Sequence, residues 1–127
     1  MGIFREKVKI ANPLNGSLSG KIEMIVDSGA TYTQIPPSIL ENLKVEKKYK
    51  RVATGEIIER HAGIVNISIK EETLPTIAIF GDEASERLLG AVTLEQFGLA
   101  IDPLNKILVP MSDSMFVQEE NQRKNFK

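Results

Sequence analysis

Short apolar runs separated by turn residues occupy almost the whole sequence. Residues 20–27 (GKIEMIVD) first alternate between polar and apolar side chains and then become continuously apolar. That change is typical of a strand that runs from the surface into a core. Strand-like patterns also occur at residues 4–10, 45–53, 57–69, 74–80, 99–102 and 107–109. The chain is therefore predicted to consist mostly of short strands.

Two short helices interrupt the predicted strands. Residues 37–43 begin with Pro37, whose missing N–H costs nothing in a first helical turn. Residues 91–97 end before Gly98, a residue type that often caps the C-terminus of a helix. Many strands with only one or two short helices favour a mostly β fold, either a small barrel or a sandwich.

The length of the chain limits the number of domains, and its net charge limits the kinds of partner that it attracts. The chain has 127 residues, which fits one domain. We place this domain at residues 1–111 and expect the polar residues 112–127 to form a flexible tail, in which Met115, Phe116 and Val117 are able to pair with a partner. With 16 basic and 17 acidic residues, no global field attracts nucleic acid or an acidic membrane.

The sequence also predicts a location. Charges at Arg5, Glu6 and Lys7 interrupt residues 1–10, so this segment lacks the apolar core of a signal peptide. No apolar run approaches the roughly 20 residues needed to span a bilayer. The chain has no cysteine, which excludes disulfides and a cysteine nucleophile and suits a reducing compartment. We therefore expect a cytoplasmic protein that binds neither membranes nor nucleic acid.

Asp27 stands where a strand residue is expected. Asp is disfavoured in strands, yet it directly follows the apolar residues Met24-Ile25-Val26 and precedes Ser28-Gly29-Ala30. One interpretation is an ordinary turn in which the Asp27 carboxylate accepts hydrogen bonds from nearby backbone N–H groups. The other is a reactive carboxylate that a buried strand delivers to a turn of small residues. The local chemistry leaves both interpretations open.

The motif Asp27-Ser28-Gly29-Ala30 resembles the Asp-Thr/Ser-Gly-Ala signature of the retropepsin-like aspartic proteases. A second element, Leu88-Leu89-Gly90, resembles the hydrophobic-hydrophobic-Gly element that packs beside the catalytic turn in this family. The resemblance covers residues 20–110 in family order. It implies a small closed β-barrel of the retropepsin-like type.

A hairpin lies between these two motifs, where the family has its flap. Residues 52–59 (VATGEIIE) supply it, with Thr54, Gly55 and Glu56 at the predicted tip. Gly55 gives the backbone freedom that a tight hairpin needs. By resemblance this hairpin is the flap over an extended peptide; an ordinary hairpin is the alternative.

The resemblance implies an aspartic endopeptidase that works as a homodimer on extended peptide substrates. Two carboxylates share one proton around a water, and because they lie about 3 Å apart they cannot both ionise comfortably. The motif occurs once in this chain, so each subunit of a symmetric dimer would contribute one Asp27. Gly29 would let the backbone approach the carboxylate pair, and Ser28 would brace the two turns across the dimer.

Other kinds of site have weaker support. His61 is the sole histidine, and no Gly-x-Ser-x-Gly nucleophile motif accompanies it. One histidine and no cysteine argue against a metal site, and we predict no cofactor. A basic stretch is best interpreted as a solvated strand face because acidic residues dilute it and Tyr49 is its one aromatic residue; its members are Lys44, Lys47, Lys48, Lys50 and Arg51.

Two other functions remain open at this point. A retropepsin-like barrel without activity would act as a dimerisation or peptide-binding module, although binding alone does not require a carboxylate pair. An unrelated small β-barrel that binds a ligand would need no dimer at all. Oligomeric state and inhibition by a statine-type peptide, whose hydroxyl mimics the tetrahedral intermediate, distinguish these functions from proteolysis.

Overall fold

The computed structural model describes residues 4–111, so the predicted tail at 112–127, with Met115, Phe116 and Val117, lies outside the described residues. Strands dominate this part of the chain, and two short helices accompany them. In chain order the elements are β1 (Arg5–Asn12), β2 (Asn15–Val26), β3 (Thr33–Ile35), α1 (Pro37–Asn42), β4 (Tyr49–Val52), β5 (Glu59–Ile69), β6 (Glu72–Phe80), β7 (Leu88–Leu89), α2 (Ala91–Gln96), β8 (Leu99–Asp102) and β9 (Ile107–Pro110).

Six of the strands close into a barrel. They follow one another in the order β1-β2-β7-β3-β6-β5, and the ring closes because β5 also pairs with β1, for example at Ile10 and Ile67. Strand β4 extends the sheet from β5, and β8 pairs with β9 in a separate two-stranded sheet. Closure leaves no unpaired edge in the ring. The prediction of a mostly β, small closed barrel with two short helices is confirmed.

Apolar side chains at alternating strand positions fill the barrel. On β1, Val8 and Ile10 point inward, as the period of two in a strand requires. They belong to one core cluster with side chains from β2, β5, β7 and both helices, among them Met24, Leu40, Val65, Ile67, Leu89 and Leu94. Each side chain of this size contributes about 1.5–3 kcal/mol when it is fully buried.

Several boundaries differ from the sequence prediction. Strand β2 begins at Asn15, earlier than predicted, because a hairpin with β1 gives its polar first residues backbone partners. Strands β3 and β7 were not predicted, since each is too short to show an alternating pattern. Strand β4 is shorter than the predicted run at 45–53. Val45, which was included in that run as an apolar strand residue, instead packs into the core next to α1.

Candidate active site

Asp27 lies at the point where β2 leaves the barrel wall, half-buried at the start of a turn formed by residues 27–31. We call these residues the Asp27 turn. The backbone N–H of Gly29 donates to Oδ1 of Asp27 at 2.9 Å, and the N–H of Ala30 donates to the Asp27 carbonyl at 3.2 Å. Asp27 therefore does start a turn, as one interpretation required. The second carboxylate oxygen keeps its capacity to accept from a water or a second carboxyl.

Strand β7 places Leu88 and Leu89 directly beside this turn. It lies between β2 and β3, parallel to the first and antiparallel to the second, with Ile25 opposite Leu88 and Val26 opposite Leu89. The backbone N–H of Asp27 donates to the Leu89 carbonyl at 3.0 Å. The side chain of Leu89 is fully buried, so the core fixes the position of the Leu89 carbonyl. That carbonyl therefore also fixes the backbone of Asp27.

Gly90 allows the backbone that follows the Asp27 turn to pass over the end of β7. A Cβ atom at Gly90 would lie 2.5 Å from the carbonyl carbon of Tyr32 and 2.9 Å from the backbone nitrogen of Thr33. Real Cβ atoms do not approach backbone this closely, so only glycine fits. Two further bonds join helix α2 to the turn: Ala91 N–H donates to the Ala30 carbonyl at 2.7 Å, and Val92 N–H donates to the Thr31 carbonyl at 2.9 Å.

The small residues of the motif have separate positions. A Cβ atom at Gly29 would lie 3.1 Å from Oδ1 of Asp27, so a side chain there would crowd the carboxylate. Ala30 is buried, whereas Ser28 is exposed. Ser28 borders an open groove whose other walls come from α2 and β8, namely Ala91, Leu94, Glu95, Leu99, Ala100 and Ile101.

The loop between β4 and β5 carries the predicted flap residues and contacts the Asp27 turn. Its tip is a tight turn in which Glu56 N–H donates to the Ala53 carbonyl at 3.0 Å. Gly55 has a φ of 81°, as the third residue of a type II turn requires. Oγ1 of Thr54 accepts from the backbone N–H of Thr31 at 2.9 Å. The structure thus brings Thr54 next to the Asp27 turn within one chain.

A cluster of charges holds the other side of this loop. Arg60 of β5 donates through Nε to Oε2 of Glu56 at 2.6 Å. Its two terminal nitrogens donate to Oδ1 and Oδ2 of Asp82, at 2.8 and 3.1 Å. The Arg60 guanidinium holds the pKa of Asp82 below its ordinary value, chiefly by hydrogen bonding and then by charge. Arg60 therefore joins the predicted flap to the segment that follows β6.

Sequence reasoning missed Thr31 and Arg60, and it gave no role to Ala53. Ala53 is 5% exposed and belongs to a small apolar cluster with Ala62, Ile79 and Tyr32, which lies under the β4–β5 loop. No local pattern marks these residues. The charges of Glu56 and Arg60 at a spacing of four resemble a helical pair, but here they lie on a loop and the adjoining strand.

Neither of the other described aspartates is placed to complete a carboxylate pair within one chain. Asp82 is bound by Arg60, and Asp102 ends β8, where hydrogen bonds from Asn105 in the following turn lower its pKa. In residues 4–111 no cluster of three or more His, Asp or Glu side chains is arranged to hold a metal ion. Across the same residues, no helix has the length and apolar character needed to cross a membrane. His61 is exposed on β5.

Three proteins are among those whose solved structures are similar to this one. The EIAV protease complexed with the inhibitor HBY-793 has a TM-score of 0.58 and 16% identity, over 80% of this chain and 93% of that chain. The retroviral protease-like domain of Ddi1 from Leishmania major has a TM-score of 0.55 and 16% identity, over 87% and 91%. A retropepsin-like aspartic protease from Rickettsia conorii has a TM-score of 0.52 and 18% identity, over 84% and 91%.

Sequence comparisons give no such similarity. No protein-family model matches the chain, and no curated protein matches it. The structural similarity spans most of the chain and nearly the whole of each of the three proteins. At these low identities it establishes the fold, and the chemistry has to be argued from the residues of the Asp27 turn.

Proposed function

We propose that this chain, which has the retropepsin-like fold, is an aspartic endopeptidase in which two copies of Asp27 activate a water. One observation carries the proposal. The fold holds a half-buried carboxylate at the end of a core strand, on a turn bonded to β7 and α2 through the main chain. An ordinary surface turn has no need of this support, since an exposed Asp can cap a turn without a second strand beneath it.

The proposed reaction needs two carboxyl groups in different protonation states. The ionised Asp27 takes a proton from water while the water oxygen bonds to the carbonyl carbon of the peptide. The protonated Asp27 of the other copy gives its proton to the carbonyl oxygen, so a neutral tetrahedral diol forms. When the carbon–nitrogen bond breaks, the nitrogen takes the proton that the first Asp27 received from water, and one hydroxyl of the diol returns a proton to the second Asp27, so a carboxylic acid and an amine form and the pair again shares one proton. No covalent enzyme intermediate occurs.

A second copy of the chain is required because residues 4–111 of one copy supply one suitable aspartate. Asp82 and Asp102 are engaged elsewhere, as described above. A two-fold axis beside Asp27 would place the two Asp27 carboxylates together and would make the interface identical on both subunits. Ser28 supports this arrangement, since its exposed side chain lies next to Asp27 and is free to face the second copy.

The proposed substrate is an extended peptide held between the Asp27 turn and the β4–β5 loop. Strand-like peptides bind mainly through their main chain, with side-chain pockets setting the preference. We assign the β4–β5 loop, with Thr54, Gly55 and Glu56 at its tip, the role of the flap. Its support comes from the Thr54–Thr31 contact, which joins the loop to the Asp27 turn. A cytoplasmic location stays a prediction of the sequence.

The test compares wild type with Asp27→Asn for cleavage of a mixed peptide library over about pH 3 to 7, the range in which coupled carboxylates titrate. Glu71→Gln is the matched control, because it makes the same carboxylate-to-amide change at an exposed turn between β5 and β6. Sedimentation measures the dimer for all three proteins. We expect cleavage by wild type and Glu71→Gln and none by Asp27→Asn.

Three other results have a defined meaning, and cleavage that survives in Asp27→Asn would show that Asp27 is not the catalytic residue. A folded dimer of wild type that cleaves nothing and binds no statine-type peptide contradicts the protease proposal. A folded dimer that binds such peptides without cleaving them is the peptide-binding module. Wild type that stays monomeric at high concentration contradicts the carboxylate pair itself.

A further inference from the structure

Three buried threonine hydroxyls lie between the barrel wall and the helix that supports the Asp27 turn. Thr33 of β3, Thr76 of β6 and Thr93 of α2 are 0%, 2% and 0% exposed. The Oγ1 atoms of Thr33 and Thr93 lie 2.6 Å apart, and those of Thr93 and Thr76 lie 2.9 Å apart. We call these three residues with Gln96 the hydroxyl chain. Buried hydroxyls need partners, and these satisfy one another.

The hydroxyls of the hydroxyl chain can donate their protons in only one direction. Nε2 of Gln96 donates to the Pro75 carbonyl at 3.0 Å, so the amide oxygen Oε1 faces Thr76 and accepts its proton at 2.6 Å. A hydroxyl has one proton, so Thr76 must then accept from Thr93. By the same reasoning Thr93 accepts from Thr33. Each hydroxyl in the series therefore donates once, toward Gln96.

The hydroxyl chain begins next to the segment that supports the Asp27 turn. Thr33 uses its proton on Thr93, and its oxygen accepts the backbone N–H of Gly90 at 3.1 Å. The neighbours of Gly90 are the residues that bind the turn: the Leu89 carbonyl accepts from Asp27, and Ala91 N–H donates to Ala30. The hydroxyl chain thus fixes the middle residue of the segment from which the turn is held.

We propose that Thr93 is a positioning residue, which acts through Thr33 and Gly90 to set the place of the Asp27 carboxylate. The inference rests on the proposed function, because a shared proton requires two carboxylates about 3 Å apart. In a symmetric dimer a shift of the turn occurs in both subunits, so the separation changes by up to twice the shift. Misplacement by about 1 Å is able to cost a factor of about 100 in rate.

The experiment compares Thr93→Val, which keeps the shape and removes the hydroxyl, with Thr93→Ser, which keeps the hydroxyl. Ile67→Val is the stability control, since Ile67 is fully buried in β5 and shares no hydrogen bond with the site. We expect Thr93→Val to lower kcat about tenfold with KM within about twofold of wild type, because the geometry of the carboxylates changes and peptide binding does not. Thr93→Ser should restore kcat.

Two results would overturn the assignment. One is a folded Thr93→Val dimer with the kcat of wild type. The other is an equal loss of kcat in Ile67→Val at a matched loss of thermal stability, which would show that kcat follows general stability.

A second pair of variants tests the hydroxyl chain from its surface end, where a substitution is less able to cause misfolding. Gln96 is exposed, so Gln96→Leu removes the last acceptor without entering the core, and Gln96→Glu keeps an oxygen in its place. We expect Gln96→Leu to lower kcat on the order of threefold, and Gln96→Glu to leave it close to wild type. Equal activity of the two variants would contradict the proposal even if Thr93→Val does not fold.

Amide hydrogen exchange separates failure of this inference from failure of the proposed function, since it needs no substrate. In Thr93→Val we expect the amides of Asp27, Gly90 and Ala91 to exchange faster than in Ile67→Val. This result in a chain that cleaves no peptide would retain Thr93 as the residue that fixes the turn and would reject the protease. Equal exchange in the two variants would reject the role of Thr93 whether or not the chain is a protease.

Discussion

The Asp27 turn and the β4–β5 loop touch through Thr31 and Thr54, but different kinds of interaction hold them in place. The turn is fixed by main-chain bonds to Leu89, Ala91 and Val92 and by the close packing of backbone over Gly90. The loop is held largely by side chains. Thr54 accepts one hydrogen bond at its tip, and Arg60 binds Glu56 on its other side, both close to solvent.

This difference predicts which region moves. A main-chain bond beside a buried core opens only when the core itself opens, whereas an exposed side-chain bond exchanges easily with water. We therefore infer a rigid turn that faces a movable loop. A protease of the proposed kind needs both properties, since its carboxylates must stay in place while the loop admits and then covers a peptide.

The largest effect is expected from Gly90→Ala, which attacks the rigid side of the comparison. The added Cβ would overlap the carbonyl of Tyr32, so the turn or β7 must shift. Overpacking of this kind costs about 3 kcal/mol when backbone rather than a flexible side chain is the obstacle. The measurement is urea unfolding at one fixed protein concentration, because the stability of a dimer depends on concentration.

Gly20→Ala is the matched control for that substitution. A Cβ atom at Gly20 would have nothing within 4 Å, so we expect its free energy of unfolding to stay within about 0.5 kcal/mol of wild type. Equal effects of the two substitutions would show that the contact beneath Tyr32 relaxes readily, and the turn would then be no more rigid than the loop.

A smaller effect is expected from Thr54→Val on the movable side. Valine keeps the shape of threonine but removes the oxygen that accepts from Thr31, and water replaces it because the contact is exposed. We expect the free energy of unfolding to fall by about 1 kcal/mol at most, which is the usual net contribution of one hydrogen bond. The amide of Thr31 should exchange about fivefold faster, as the loss of about 1 kcal/mol from one hydrogen bond implies. Thr54→Ser keeps the oxygen and should match wild type; unchanged exchange in Thr54→Val would mean that the loop does not rest on this bond.

Much of the fold could be predicted from the sequence because the long strands have clear patterns. Three features of the sequence act locally and could be interpreted without the structure. They are the alternation in β5 and β6, the proline at the start of α1 and the glycine after α2. Strands β3 and β7 could not be found this way. Their strand conformation comes from their neighbours, since β7 pairs with β2 and β3 and contains only Leu88 and Leu89.

The candidate site shows the same division. Asp27 and Gly90 could be selected because motifs mark them, and in the structure the neighbours of Gly90 form main-chain bonds with the Asp27 turn. Thr93 and Arg60 could not, because their roles depend on partners far away in sequence: Thr93 meets Thr33 and Thr76, and Arg60 meets Asp82. A single sequence contains no local signal for such pairings.

The smallest effect on stability is expected from the substitution of Arg60. The Arg60–Asp82 pair helps to hold the β4–β5 loop, and its contribution to stability depends on pH. Since Arg60 holds the native pKa of Asp82 below the ordinary value of 3.8, Asp82 binds its proton more weakly in the folded chain than in the unfolded one. The pair therefore stabilises the fold above that value, and the contribution disappears as the pH falls through the lowered native pKa. Arg60→Gln should raise the titration midpoint of Asp82 toward 3.8, measured by carboxyl carbon NMR.

Asp102 is the internal control for this titration, because Asn105 rather than Arg60 lowers its pKa. Its midpoint should be the same in wild type and Arg60→Gln. We expect only a small change in thermal stability, since Asp82 is exposed and salt screens the pair. Amide exchange should rise in the β4–β5 loop, because Glu56 loses its partner, and should stay unchanged at Asp27, Ala91 and Val92, whose amides donate to main-chain carbonyls at the Asp27 turn and β7. Faster exchange in both regions would show that loop and turn move together, and the contrast between a rigid turn and a movable loop would be wrong.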